Sequence, residues 1–156
     1  MNKISIKKAT KKDVNDILEL ANLMLDFHHR IDPYYTIYSK YEDSKEFYRK
    51  QLGRKGVRFV LVVDSSGKNI GFGHASITSI PKTRAPKLGK LIAIFVKKKY
   101  RNKGIGSKIF RDLMQWLEKS NVKHVELHVD SRNRKTILLW KKLGFKDYQI
   151  NLRKDL

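Results

Sequence analysis

An apolar segment that leads through a glycine-rich turn into an amphipathic helix constrains the fold of this chain more than any other feature. Residues 91–96 form an apolar run, and residues 101–106 (RNKGIG) follow shortly after it. A helix is then predicted over residues 104–120 from apolar side chains at helical spacing. Glycines let the backbone approach a bulky group, and a helix N-terminus offers unpaired N–H groups and the positive end of its dipole. The segment therefore predicts an anion-binding site.

Strand and helix periods alternate along the rest of the chain. Strands are predicted over residues 3–8, 57–64, 70–79, 90–96, 123–130 and 145–153, and helices from residue 14 to about residues 28–30 and over 44–54, 104–120 and 133–143. The order β-α-α-β-β-β-α-β-α-β indicates a mixed α/β (α+β) domain. Its sheet has about six strands, with a parallel crossover between strands four and five. No repeat or long linker interrupts the pattern, so residues 1–156 are predicted to form a single domain.

The composition excludes several classes of site. The chain has 156 residues and no cysteine, which rules out disulfides, cysteine-ligated zinc and a cysteine nucleophile. The adjacent His28 and His29 lack metal-ligand spacing, so no metal is expected. No apolar stretch approaches the roughly 20 residues of a membrane helix, and the N-terminus lacks the apolar core of a signal peptide. We therefore expect a cytoplasmic protein without a membrane partner.

The charge of the chain is unusually positive. Lysine and arginine total 35 against 15 acidic residues, a formal net charge of +20. The basic residues are concentrated at residues 97–103 and 132–135. This balance is typical of a protein with a polyanionic partner, such as nucleic acid, an acidic protein surface or a phosphate-bearing cofactor. It is equally typical of a lysine-rich, solvated surface.

Two motifs in order resemble a known family. The glycines do not continue into Gly-x-Gly-x-x-Gly, and no Walker-type phosphate loop is present. Arg101-x-x-Gly104-x-Gly106 after an apolar strand instead resembles the acyl-CoA signature of the GNAT superfamily of acyl-CoA-dependent N-acyltransferases. Residues 127–129 (LHV), Asn133 and residues 139–145 (LWKKLGF) resemble the last strand–helix–strand unit of that family.

The resemblance implies a GNAT-like domain whose sheet splays between strands four and five to admit acetyl-CoA. It implies direct transfer of an acetyl group from acetyl-CoA to a primary amine of a small molecule, peptide or protein, with CoA as the product. The residues expected to hold acetyl-CoA are Ile94, Phe95, Val96, Arg101, Asn102, Lys103, Gly104, Ile105, Gly106, Ser107, Asn133 and Trp140.

The catalytic residues depart from the family pattern. The family often places an acidic tyrosine just before the Gly-Phe pair, where this chain has Trp140, whose indole is no useful acid. Many relatives carry a glutamate on the fourth strand, which has no carboxylate here. The candidates for a catalytic role are Asn133, Trp140 and His128, and Glu126 and His74 are further candidates for a base.

The acceptor site is expected near the first two helices, as in the family. The candidates are His28, Asp32, Tyr34 and Tyr35, because aromatic walls with a carboxylate suit a cationic amine. Two alternatives stay open: a nucleic-acid- or ribosome-associated member of the family, and a catalytically degenerate protein that only binds acyl-CoA. Dimers are common in the family, although no sequence feature here demands a homodimer.

Overall fold

One open sheet of five strands forms the centre of this computed structural model, which describes residues 4–33 and 42–156. The strands, in their order across the sheet, are β1 (Ser5–Lys8), β2 (Val57–Val63), β3 (Asn69–Ser79), β4 (Lys87–Val96) and β5 (His124–Leu127). Neighbouring strands are antiparallel except for β4 and β5, which are parallel. This parallel pair confirms the predicted crossover and the mixed α/β class.

Helices cover both faces of the sheet. The α-helices among the described residues are α1 (Val14–Ile31), α2 (Glu42–Gln51), α3 (Ile105–Lys119) and α4 (Arg134–Lys142). One core cluster joins α1 to the sheet face that carries Phe59 and Phe72, and a second joins α3 to the opposite face. A Cβ built on Gly73 would lie 2.3 Å from a methyl carbon of Ile109, so the glycine allows α3 to rest directly on β3.

The predicted last strand over residues 145–153 is wrong. Those residues form no strand, and the alternating side chains that suggested one, Tyr148, Ile150 and Leu152, are all exposed. A strand persists only where its backbone groups find partners. No described strand pairs with this segment, and the sheet therefore has five strands rather than about six.

The observed ends of the other strands and helices differ from the predicted ends by a few residues. Strand β4 begins at Lys87, three residues before its predicted start, and α2 begins at Glu42 rather than Ser44. The irregular segment predicted after α1 falls largely on residues 34–41, which lie outside the described residues. This segment includes the acceptor candidates Tyr34 and Tyr35.

Candidate functional site

A cleft opens between β4 and β5 because the two strands pair over only four residues. Leu88–Leu91 of β4 pair with His124–Leu127 of β5, and β5 then ends, three residues short of its predicted end. Strand β4 continues to Val96. Beyond Leu91, the edge of β4 that faces away from β3 has no strand partner among the described residues.

A β-bulge and the strand alternation decide what this open edge presents. The register of β3 and β4 shifts between His74 and Ala75, so Ile92 falls outside the pairing and is 52% exposed. The Lys97 N–H donates to the Ile70 oxygen on β3 over 2.9 Å. Since backbone groups alternate along a strand, the N–H and C=O groups of Ile94 and Val96 point toward the cleft.

The turn before α3 leaves a helix N-terminus facing open space. Gly104 precedes the helix in the left-handed conformation (φ 73°), and Asn102 is left-handed as well (φ 60°). The Lys108 N–H donates to the Gly104 oxygen over 3.1 Å, so the three N–H groups of residues 105–107 have no partner within the helix. A Cβ on Gly104 or Gly106 would meet nothing within 4 Å. The turn therefore has free donors and the room that a phosphate-sized anion needs.

The basic residues of this turn divide into anchors and exposed cations. Lys97 Nζ bonds a Glu19 carboxylate oxygen on α1 over 2.6 Å, and Arg101 Nε donates to the Val96 oxygen over 2.8 Å. These two side chains fasten the turn to its surroundings. Lys99 and Lys103 are exposed beside the ring of Tyr100, at 4.8 and 5.9 Å from its centroid. They contribute positive potential near the start of α3.

Asp32 joins three parts of the chain on the other side of the cleft. Its backbone N–H caps α1 by donating to the His28 oxygen over 2.9 Å. Its carboxylate, only 8% exposed, lies 2.7 Å from the Arg132 guanidinium and 3.0 Å from that of Arg153. Asp130 also binds Arg132 over 2.7 Å, and these hydrogen bonds lower the pKa of Asp130 to about 2. We call Asp32, Asp130, Arg132 and Arg153 the Asp32 cluster.

The cluster changes the interpretation of Asp32. This carboxylate is predicted from the sequence to face a cationic amine, and in the structure it binds two arginines. A cationic substrate would have to displace them. The ion pairs of Asp32 could not be predicted from local residue patterns, because Arg132 and Arg153 lie far from it in sequence.

Replacing Asp32 by alanine is expected to lower the free energy of unfolding by about 2 kcal/mol. Removing the buried carboxylate takes one anionic partner from each arginine, although Arg132 keeps its pair with Asp130. Both arginines are half exposed, so water offsets part of the cost. Urea denaturation would measure the change. Asp147→Ala is the matched control, because its pair with Lys141 is exposed and should contribute less than about 0.5 kcal/mol. Equal losses in the two variants would contradict a structural role for the cluster.

Two other predicted site residues gather around the cluster. Half-buried His28 lies in the last turn of α1, where burial lowers its pKa and the charge of Asp130 opposes that effect. Asn133 directly precedes α4, and its backbone N–H donates to the backbone oxygen of Asp130 over 2.8 Å. The structure thus brings His28, Asp32 and Asn133 to one side of the cleft.

Trp140 and His128 lie in different surroundings. The Trp140 ring packs in an aromatic cluster with Phe110 and Phe145, at centroid distances of 5.8 and 5.5 Å. This cluster contributes to the core on the α3 side of the sheet. His128 is exposed just after β5 ends.

A pocket of about 310 Å³ lies between α2 and the sheet. Its lining comprises Phe47, Tyr48, Gln51, Arg54, Lys55, Val57, His74, Ser76, Ile77, Thr78 and Ile92. His74 was named from the sequence as a candidate base, but the lining residues from α2 and the turn after it were missed. The sequence of α2 mixes polar and aromatic residues, and such a pattern alone does not indicate which face of the helix covers a pocket.

His74 is the unusual residue of this pocket. It is 5% exposed, and its ring stacks on Phe59 with centroids 3.8 Å apart. Its Nε2 atom is buried and has no hydrogen-bond partner among the described residues. Burial lowers the pKa of His74 to about 4, so the imidazole is neutral at pH 7. Such a group is a weak base but can exchange a hydrogen bond with a ligand.

The described residues offer neither a metal-binding cluster nor a membrane-spanning helix. These residues contain no group of three or more histidine, aspartate or glutamate side chains arranged to hold a metal ion. None of their helices combines the length and hydropathy required to cross a bilayer.

Comparison with known proteins identifies related sequences and folds. A sequence model of the Acetyltransferase (GNAT) family matches residues 19–145. An uncharacterized N-acetyltransferase of Methanocaldococcus jannaschii is 27% identical over 146 residues, which cover 94% of this chain. The chain spans only 62% of the length of that relative.

Two solved structures share the fold at low sequence identity. The BH1408 protein of Bacillus halodurans, as a tetramutant, gives a TM-score of 0.83 at 16% identity, covering 97% of this chain and 99% of its own. The aminoglycoside N-acetyltransferase AAC(6')-Iy, in complex with CoA, gives 0.75 at 15% identity, covering 100% and 96%. At such identities the likeness shows the fold alone.

Proposed function

We propose, from the premise that this chain belongs to the GNAT family of acetyltransferases, that it transfers an acetyl group from acetyl-CoA to a primary amine. Membership makes the chain an acetyltransferase enzyme; the proposal adds the donor, the acceptor and the residues. Residues 1–156 act in it as one domain. The observation that carries the proposal is the open N-terminus of α3 beside the cleft.

The start of α3 supports binding of the CoA pyrophosphate. Unpaired N–H groups and the dipole of a 15-residue helix favour a negative charge there. Gly104 and Gly106 keep side chains out of the space in front of those groups. Lys99 and Lys103 add exposed positive charge nearby, which suits a ligand with several phosphates.

The open edge of β4 supports binding of the pantetheine arm. An extended chain of amides can add to an exposed strand edge through main-chain hydrogen bonds. Ile94 and Val96 present their backbone groups at this edge, although the Val96 oxygen already accepts a bond from Arg101. The Ile94 groups and the Val96 N–H are therefore the ones we assign to the donor. A protein that shares this fold was solved in complex with CoA, which supports CoA as the ligand of the cleft.

The chemistry requires an uncharged amine and donors for the thioester oxygen. Acetyl-CoA supplies the acetyl thioester. Whichever of the Ile94 and Val96 N–H groups the pantetheine amides leave unbonded would stabilise negative charge on the carbonyl oxygen. The chain needs no strong general acid for the leaving group, because a thiol with a pKa of about 8.5 leaves readily as a thiolate. This fits Trp140 at the position of the family tyrosine.

Calorimetric titration with acetyl-CoA at about 0.15 M salt tests the donor site, because loose surface attraction is largely screened there. We expect saturable one-to-one binding that exceeds binding of dephospho-CoA and of an unrelated polyanion. Weak binding shared with any polyanion would contradict the donor site. It would assign the affinity to the +20 surface and favour a nucleic-acid or acidic protein partner.

Trp140 favours a second candidate, an acyl-CoA-binding protein without turnover. Its ring packs against Phe110 and Phe145 and leaves no tyrosine hydroxyl at the family position. A screen of amines with acetyl-CoA, read as CoA release, separates the two candidates. Turnover well above background with any amine eliminates the second.

A further inference from the structure

The pocket beside His74 adjoins the cleft between β4 and β5. Ile92 belongs to its lining and directly follows Leu91, the last residue of β4 that pairs with β5. Ala93, the next residue, pairs with His74. The pocket thus borders the same short stretch of β4 whose open edge faces the cleft, but from the α2 face of the sheet.

The charged residues of the pocket are all basic. Arg54 and Lys55 contribute to the lining, which contains no aspartate or glutamate. Within the described ranges, neither of these two cations makes an ion pair. Arg49 and Lys50 on α2, in contrast, both lie within 3.7 Å of Glu46. Arg54 and Lys55 are therefore available to an anionic ligand.

The imidazole of His74 supplies a second, independent sign of a ligand. A buried nitrogen without a hydrogen bond is energetically costly, because it has lost its contacts with water. The stack on Phe59 holds the imidazole ring in place. Within the described part of the chain, no polar group forms a hydrogen bond with Nε2. Because Nε2 itself is buried, a polar ligand in the pocket would bond to it only after a neighbouring side chain moves, and that bond would then remove the cost.

We propose that this pocket binds the acceptor, and that the acceptor is a small amine whose molecule also carries an anionic group, a carboxylate or a phosphate. The inference rests on the proposed acetyl transfer and names its substrate class. Arg54 and Lys55 bind the anion, His74 bonds a polar group of the ligand, and the amine reaches the cleft past Ile92. A volume of about 310 Å³ lies at the small end of ligand sites. A polycationic amine would meet two uncompensated positive charges.

Matched acceptors test the charge preference by calorimetry in the presence of CoA, which needs no turnover. The probes are 5-aminopentanoate against 1,5-diaminopentane, which exchange a carboxylate for an amine at similar length. Phosphoethanolamine against ethanolamine distinguishes a phosphate from a carboxylate preference. We expect the preferred anionic probe to bind at least about tenfold more tightly than its partner, or about 1.4 kcal/mol. Equal binding, or tighter binding of the uncharged or cationic partner in both pairs, would overturn the proposal.

Arg54→Gln/Lys55→Gln is the variant that locates the effect. We expect it to remove the preference for the anionic probe and to leave the affinity for acetyl-CoA unchanged. Arg49→Gln/Lys50→Gln removes the same charge from the same part of the chain, but outside the pocket, and should keep the preference. Equal losses in both variants would assign the preference to net charge and overturn the site.

His74→Phe tests the contact with the ring nitrogen. Phenylalanine keeps the stack on Phe59 and removes Nε2, so the variant should fold while its affinity for the anionic probe falls about tenfold. Unchanged affinity would remove His74 from the proposed site. Absence of acetyl-CoA binding in the unmodified protein would instead contradict the proposed function, so the two failures are distinguishable.

Discussion

Gly106→Asp is expected to lower the affinity for acetyl-CoA at least about 100-fold while leaving the protein folded and as stable as before, or more so. A 100-fold loss corresponds to about 2.7 kcal/mol. Two charges of the same sign about 4 Å apart repel by about 4 kcal/mol at an effective dielectric constant of 20, which exceeds that figure. The same carboxylate in the first turn of α3 favours the free helix, through the dipole and through higher helix propensity than glycine.

The opposite signs of these two effects make the test sharp. Gly106 lies outside the left-handed region, and an added Cβ meets no neighbour within 4 Å, so misfolding is not expected. Calorimetry would give the affinity and thermal melting the stability. Gly106→Asn is the matched control, since it has the same shape without the charge and should lose much less affinity. Equal binding by the aspartate variant and the unmodified protein would contradict a pyrophosphate site at α3.

Acidification is expected to cost the protein about 3 kcal/mol of unfolding free energy through His74 alone. Its pKa is about 4 in the folded protein against 6.5 for the ordinary group, because burial disfavours the charged form. Between these values the unfolded chain binds more protons than the folded one, so stability rises with pH. The stabilisation is complete above pH 6.5 and is lost as the pH falls toward 4 and below. The size follows from about 1.4 kcal/mol per pKa unit.

Denaturant titrations at pH 7, 5.5 and 4 would measure this loss. His74→Phe cannot take up the proton, so its stability should fall less over the same range. His124→Gln is the matched control for the loss of a histidine at an exposed position, at the start of β5. Parallel pH profiles for His74→Phe and the unmodified protein would show that the buried imidazole does not titrate in this way.

Local patterns were sufficient to predict most of this fold. The apolar run of β4, the glycines at 104 and 106 and the helical period of α3 each act over a few residues, and together they predicted the strand–turn–helix unit. The prediction of the last strand was wrong because it depended on a contact that is distant in sequence. Tyr148, Ile150 and Leu152 alternate as strand residues do, but a strand also requires a partner edge, and neighbouring residues carry no information about that.

The candidate site was predictable only in part for the same reason. The sequence named His74 as a candidate base, but its burial, its stack on Phe59 and its unpaired nitrogen depend on how β2 and β3 align. Arg54 and Lys55 look like two surface cations among many in a chain of charge +20. They become distinctive only when α2 covers the sheet and places them at the pocket.

The Asp32 cluster also bears on the order in which the chain folds. Asp32 and Arg153 are 121 residues apart in sequence, so their ion pair closes nearly the whole chain into a loop. The entropy of closing a loop grows with its length, and contacts between distant residues form slowly. The hairpins β2–β3 and β3–β4 join residues that are close in sequence and need no such closure. We therefore expect the two hairpins to form first and the Asp32 cluster to consolidate last.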